Sequence, residues 1–126
     1  MRRPPAAHAL KRRILKDSVR ANHLRDAAFR RIILSIPKGK VSTYGKVAEA
    51  AGYPLYHRAV AHLLRTALPG SLPWQRIVGA GGQIKLPGEG AFEQRLRLSI
   101  EGVSFRGRRV NMDECEHPLR SWELPD

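Results

Sequence analysis

The chain has 126 residues, 42% of them hydrophobic, and Lys+Arg 23 against Asp+Glu 11 give a formal net charge of +12. That length fits one domain with a modest core, and no apolar run approaches the roughly 20 residues that cross a bilayer. The single cysteine, Cys115, excludes an internal disulfide and fits a reducing compartment.

Residues 1–8 read as a disordered start, because Pro4 and Pro5 oppose a helix. Their basic opening lacks the apolar stretch of a secretory signal. Residues 9–22 are compatible with a helix but carry only a thin apolar stripe, chiefly Leu10 and Ile14. Arg2, Arg3, Lys11, Arg12, Arg13, Lys16, Arg20, Arg25, Arg30 and Arg31 crowd this first quarter, opposed only by Asp17 and Asp26. Residues 1–24 are therefore expected to be a basic arm, partly helical or disordered, of the kind that tracks phosphates.

Phe29, Ile32, Ile33 and Ile36 fall at i, i+3, i+4, i+7 and predict a helix with one buried face, ended by Pro37 and Gly39. Ser42 or Thr43 can cap a helix starting at Tyr44, with Val47, Ala48 and Ala51 inward and Gly52 at its C-terminal turn. A further helix is expected over 55–67. Val60, Leu63, Leu64 and Ala67 form its core face, and Arg58, His62 and Arg65 lie on another. Two short helices joined by a Gly-containing turn, the second basic on its free face, make a helix-turn-helix.

After Pro69–Gly70 the period changes. Residues 74–78 read as a short strand, 80–82 as a turn and 83–86 as a return strand, which together make a hairpin. A helix over 91–101 is expected to bury Phe92, Leu96 and Ile100, and 103–111 reads as a last strand. The main domain is placed at 25–112, followed by an acidic tail over 113–126.

Recognised catalytic sets are missing. His8, His23, His57, His62 and His117 lack metal-ligand spacing, and Cys115 has no cysteine partner. "GAGGQ" lacks the strand and helix that a dinucleotide needs around its glycines. Glu114 and Glu116 flank Cys115 with charges that oppose a thiolate. Neither a metal nor a cofactor is expected. The net charge favours nucleic acid before an anionic membrane surface.

The run "IPKGKVSTYGKVAEAAGYP…HRAVAHLLR…LPWQRIVGAGG…EQRLRLSIEGV" resembles the DNA-binding domain of O6-alkylguanine-DNA alkyltransferases. The resemblance covers about residues 25–112. In those enzymes the signature is Pro-Cys-His-Arg-Val, and the cysteine accepts the alkyl group. Here the same frame is Pro73-Trp74-Gln75-Arg76-Ile77. That replacement is shared with the alkyltransferase-like proteins, non-enzymatic relatives that bind alkylated guanine and hand it to nucleotide excision repair.

The resemblance implies a mainly α α/β fold, a winged helix-turn-helix with a short β-hairpin. It implies that Tyr44 rotates the target nucleotide, since a base must leave the stack before a pocket can read it. Arg58 would fill the gap in the duplex. Thr43, Arg58, Ala59, His62 and Arg65 would contact DNA through the minor groove. That groove favours small residues such as Ala59 and Ala61, and His62 departs from the family's usual glycine or small residue. Trp74, Tyr44, Ile77 and Leu64 would form the lesion pocket, with the carbonyls of Trp74 and Ile77 accepting from the guanine amine. Gln75 replaces the histidine that activates the thiolate, so Glu101 is expected to keep only a structural role. The "KLPGEG" loop lacks an arginine that some alkyltransferase-like proteins place over the lesion, and Lys85 is its nearest basic residue.

The expected function is damage recognition without catalysis by a DNA-associated monomer, cytoplasmic or nuclear, with excision-repair proteins as partners and no membrane. Two other readings are an alkyltransferase using Cys115 and a helix-turn-helix transcription regulator. The degenerate code of the minor groove opposes the regulator.

Overall fold

A computed structural model describes residues 5–120. Helix α1 (Pro5–Leu34) is followed by β1 (Ser42–Thr43), α2 (Tyr44–Ala50) and α3 (His57–Thr66). Next come β2 (Ile77–Val78), α4 (Gly88–Ile100), the pair β3 (Phe105–Arg106) and β4 (Arg109–Val110), and the short α5 (Met112–Cys115). No helix among the described residues is long and apolar enough to cross a membrane.

Helix α1 runs unbroken through both helical segments expected for the first quarter. It also corrects the non-helical reading of residues 1–8 from Pro5 onward. A proline in the first turn loses no hydrogen bond, because that N–H has no partner inside the helix. Residues 1–4 lie outside the described residues. Phe29, Ile32, Ile33 and, just past the helix, Ile36 are buried as their spacing predicts. They pack against Val47, Ala48 and Ala51 of the α2 segment and Val60 and Leu63 of α3. Burying each large apolar side chain contributes about 1.5–3 kcal/mol.

Thr43 caps α2, its hydroxyl accepting from the Lys46 amide at 3.1 Å. Gly52 ends that turn at φ 91, where a side chain would be strained. A second core cluster joins Val41, Val78, Leu98, Val103, Val110 and Cys115. Strand β2 is the seam between the two clusters. It pairs in parallel with β1, Ser42 opposite Ile77 and Thr43 opposite Val78. Successive side chains of a strand point to opposite faces, so Ile77 enters the first cluster and Val78 the second.

Three local expectations change. Trp74–Arg76 is a 3-10 turn, closed by the Arg76 amide on the Pro73 carbonyl at 3.1 Å, and only Ile77–Val78 is strand. The hairpin expected at 74–86 does not form, because β2 pairs with β1 and residues 83–86 pair with no strand. The hairpin of this fold is β3–β4 instead. On α4 the buried residues are Gln94 and Leu98, whereas Phe92, Leu96 and Ile100 are 71%, 49% and 76% exposed.

Gly82 holds the 80–82 turn against β4. It sits at φ 86, and a Cβ there would lie 2.4 Å from the Val110 carbonyl oxygen. The acidic segment after residue 112 is described as far as Arg120. Val41 donates to the Cys115 carbonyl at 2.9 Å, and His117 donates back to Val41 at 2.8 Å. Residues 121–126 lie outside the described residues.

Candidate functional site

The site is assembled by α2, α3, the turn at Trp74 and the loop before α4. They enclose a cavity of about 490 Å3. Tyr44, at the first position of α2, lies on one side. Arg58, Ala61, Leu64 and Arg65 come from α3, Trp74 from the 3-10 turn, and Lys85, Leu86 and Pro87 from the loop. The mixture suits a flat heteroaromatic ring. Leu64, Leu86 and the indole offer apolar contact and a π-face, and the arginines and Lys85 offer positive charge near an anionic backbone. A larger hollow of about 580 Å3, at Lys46, Glu49 and Glu116–Leu119, contains none of the predicted site residues.

Burial raises the Tyr44 phenol above its ordinary value, and the nearby Arg65 charge offsets part of that rise. The hydroxyl is thus a neutral donor at physiological pH. It adds no negative charge where a phosphate would approach.

The indole of Trp74 is half-buried and separates two spaces. Behind it lies a cavity of about 380 Å3, lined by Leu64, Leu68, Pro69, Glu93 and Arg97. The Arg97 guanidinium stands 5.4 Å from the indole centroid, within cation–π range, and pairs with Glu93 at 2.9 Å.

The next two residues of the turn point the other way. Gln75 donates to Glu101 at 3.0 Å. Arg76 makes a two-pronged contact with Glu101, Nε to Oε1 and Nη2 to Oε2, each at 2.9 Å. Its Nη1 donates to the Ile36 carbonyl at 2.9 Å. Burial pushes the Glu101 carboxyl up. Hydrogen bonds from Arg76 and Gln75, the Arg76 charge and the Gly39 amide outweigh it, and the group ends below its ordinary 4.5. Glu101 thus has the structural role expected of it.

Gln94 is the supporting residue that sequence reasoning missed. It is 1% exposed. Its amide nitrogen donates to the carbonyls of Gln75 at 3.1 Å and Ile77 at 2.9 Å. Those two bonds hold the turn and β2 against α4. The available signal was its place four residues before Leu98, on a face that a count of apolar residues passes over.

Of the predicted site residues, the structure brings Tyr44, Arg58, Leu64, Arg65 and Trp74 around one cavity. It does not bring Ile77 there. That side chain is 0% exposed in the first core cluster. The Ile77 carbonyl accepts from the Gln94 amide, and the Trp74 carbonyl accepts from the Ile77 amide. Thr43 is 8% exposed, and its hydroxyl oxygen accepts the α2 cap bond from the Lys46 amide. Ala59 is half-buried against the core. His62 is exposed on α3 and does not line the cavity, whereas His57, Leu86 and Pro87 do so unforeseen. Cys115 is 5% exposed in the second cluster, its sulfur 3.6 Å from the Ser104 hydroxyl. No group of three or more His, Cys, Asp or Glu placed to hold a metal occurs among the described residues.

Residues 26–103 match the family described as 6-O-methylguanine DNA methyltransferase, DNA binding domain. A DNA base-flipping protein of Vibrio parahaemolyticus serotype O3:K6 is 47% identical over 73 residues, which is 57% of this chain and 73% of that protein. Alkyltransferase-like protein 1 of Schizosaccharomyces pombe is 40% identical over 94 residues, 72% of this chain and 87% of that protein. A crystal structure of the S. pombe protein in complex with damaged DNA containing O6-carboxymethylguanine matches with TM-score 0.62 and 28% identity, covering 76% of this chain and 96% of that one.

Proposed function

We propose a function from one premise: the chain belongs to the family of the 6-O-methylguanine DNA methyltransferase DNA binding domain. On that plan it recognises DNA damage without catalysis, taking O6-alkylguanine from a duplex into the cavity at Trp74. The observation that carries this reading is the cavity itself, which gathers Tyr44, Arg58, Leu64 and Trp74 from three separate parts of the chain.

The steps follow from the residues. The exposed face of α3, with Arg58, His62 and Arg65, lies in the minor groove, where positive charge meets phosphate. Tyr44 crowds the target nucleotide and favours its rotation out of the stack, which costs a few kcal/mol. Arg58 enters the gap, where a planar cation can stack and donate to the orphaned base. The flipped guanine lies against the indole, a contact worth about 1–3 kcal/mol for an aromatic face. A larger O6 substituent buries more area on Trp74, Leu64 and Leu86 and is held more tightly.

No nucleophile is offered to the alkyl group. Trp74 stands at the acceptor position and Gln75 at the activating position, with the Gln75 amide bonded to Glu101. Transfer to Cys115 would require a thiol packed among Val41, Val78 and Leu98 to leave the second cluster. The bound lesion is instead a flag, read by nucleotide excision repair proteins that act on a distorted duplex.

Anisotropy titrations with matched duplexes containing guanine, O6-methylguanine or a bulkier O6-adduct test this reading. The lesion duplexes bind more tightly and the mass of the protein stays unchanged. Equal affinity for guanine and its alkylated forms would refute lesion recognition. A mass gain of one alkyl group would establish transfer.

A further inference from the structure

The N-terminal half of α1 lies outside residues 26–103, the part that matches the family. Residues 9–24 are exposed throughout, on a helix that continues into the core at Phe29. Its joint with the domain is aromatic. The Arg25 guanidinium lies 5.9 Å from the Phe29 ring and 5.6 Å from the Tyr56 ring, and Tyr53 packs edge-on against both. The half-helix therefore projects from a fixed base beside the start of α3.

Its charges are ordered. At about 100° per residue, Arg12, Arg13, Lys16, Arg20, Arg30 and Arg31 fall within roughly one 100° arc. Phe29, Ile32 and Ile33 bury the opposite side of the helix. The cations thus line one side of the helix in two groups, Arg12 to Arg20 and Arg30 with Arg31, separated by His23 and Ala27. The ridge they make is about 28 Å from end to end at 1.5 Å per residue and is turned away from α2 and α3. None of the six has an ion-pair partner among the described residues. Cations one turn apart are about 6 Å from each other, and the ridge spans about eight base pairs of duplex. The exposed apolar residues do not compete for this role. Leu10, Ile14 and Leu24 lie on one flank, interrupted by Asp17, and Leu15 and Val19 lie on the other, so neither flank makes a continuous helix-pairing seam.

The geometry points to a second DNA-binding surface, independent of the lesion, that takes a separate duplex segment along the α1 ridge while α3 holds the first. It rests on the proposed docking of α3 on DNA, but not on capture of a lesion in the pocket. Two faces on opposite sides of one helix layer cannot both lie on one short straight duplex. The chain therefore links two segments, and the ridge keeps it on DNA between lesions.

The test uses the full chain and an undamaged duplex of about 13 base pairs, too short to reach both faces. Sedimentation at low salt is expected to give two duplexes per chain. The variant R12Q/R13Q/K16Q/R20Q, which keeps good helix formers, is expected to give one. Each phosphate left without its cation lowers the salt slope of log K by about 0.9, so the slope should fall by at least about 2. The preference for a lesion duplex at the remaining site should stay unchanged. Circular dichroism checks that α1 persists, and R30Q/R31Q, on the packed half of the helix, gives a second reading if it does not. One duplex per wild-type chain overturns the proposal, whether the ridge then binds the same duplex, anionic vesicles or nothing. Loss of lesion preference in the wild type would refute the pocket reading and leave the stoichiometry to judge the ridge.

Discussion

Trp74 and Arg76 sit two residues apart on one turn, yet they meet opposite surroundings. The Trp74 indole stands between two cavities, with the Arg97 guanidinium over its ring. The Arg76 side chain is 13% exposed and held by Glu101 and the Ile36 carbonyl. The difference teaches where a binding site gets its stiffness. The surface proposed to meet the ligand stays open, and polar groups behind it fix the backbone that carries it. Gln94 completes that support from α4. Stability and recognition should therefore be separable by substitutions on the two sides of the turn.

The largest effect is expected from Glu101→Ala. It leaves Arg76 and Gln75 facing a mostly dry space without their acceptor. Removing one partner of a buried pair costs about 3–5 kcal/mol, and the residual exposure of this pair, 13% and 10%, places the loss at the low end. Urea denaturation measures it. The folded fraction should still prefer lesion duplex, because no cavity residue has changed. Full stability in this variant would remove the distinction between the two sides.

Trp74→Ala should do the reverse. Loss of an aromatic stacking face costs about 1–3 kcal/mol of binding, or roughly 5- to 150-fold in Kd. Anisotropy measures it, and the urea midpoint should move less than in Glu101→Ala. A collapse of stability with no change in lesion affinity would make the indole a core residue.

Acid sharpens the same contrast. Glu101 titrates below its ordinary 4.5 in the folded chain, so the unfolded chain binds its proton first. The stability it supplies is complete above about pH 5 and is lost as pH falls through the lower folded value. Wild type and Glu101→Gln should therefore differ most at neutral pH and converge as pH falls through the folded value. A constant difference across that window would show that the carboxylate charge has no part in the support.

Much of the open side was legible in the sequence. Cap and glycine signals placed α2, apolar spacing placed α3, and the Pro-Trp-Gln-Arg frame placed Trp74 beside Tyr44 and Arg58. The supporting side was harder to read. On α4, Phe92, Leu96 and Ile100 form a regular apolar stripe and yet face water, because Gln94 must reach the Gln75 and Ile77 carbonyls from the other face. A periodicity count rewards apolar residues and cannot see a buried amide whose partners are backbone atoms. The hairpin expected at 74–86 failed for a related reason. Its first strand is claimed by β1, a partner more than thirty residues earlier in the chain.

The smallest expected effect belongs to Leu55, in the turn before α3. It is the one non-glycine with positive φ among the described residues, at 72, and its side chain is 90% exposed. A left-handed backbone costs an ordinary L-residue about 1–2 kcal/mol, and an exposed leucine recovers little of that by burial. Leu55→Gly removes the strain but adds about 0.5–1 kcal/mol of unfolded-chain freedom, so a gain of about 0.5 kcal/mol remains. Leu55→Asn, which tolerates this conformation without glycine's flexibility, should gain slightly more. Thermal unfolding should rise by a few degrees at most in either variant. The lesion-to-guanine affinity ratio decides what the strain is for. If it holds, the turn only connects α2 to α3, and the open side owes its geometry to the bonds behind Trp74. If it falls while stability rises, the strained turn sets the pose of Arg58, and stiffness is supplied from both sides of the pocket.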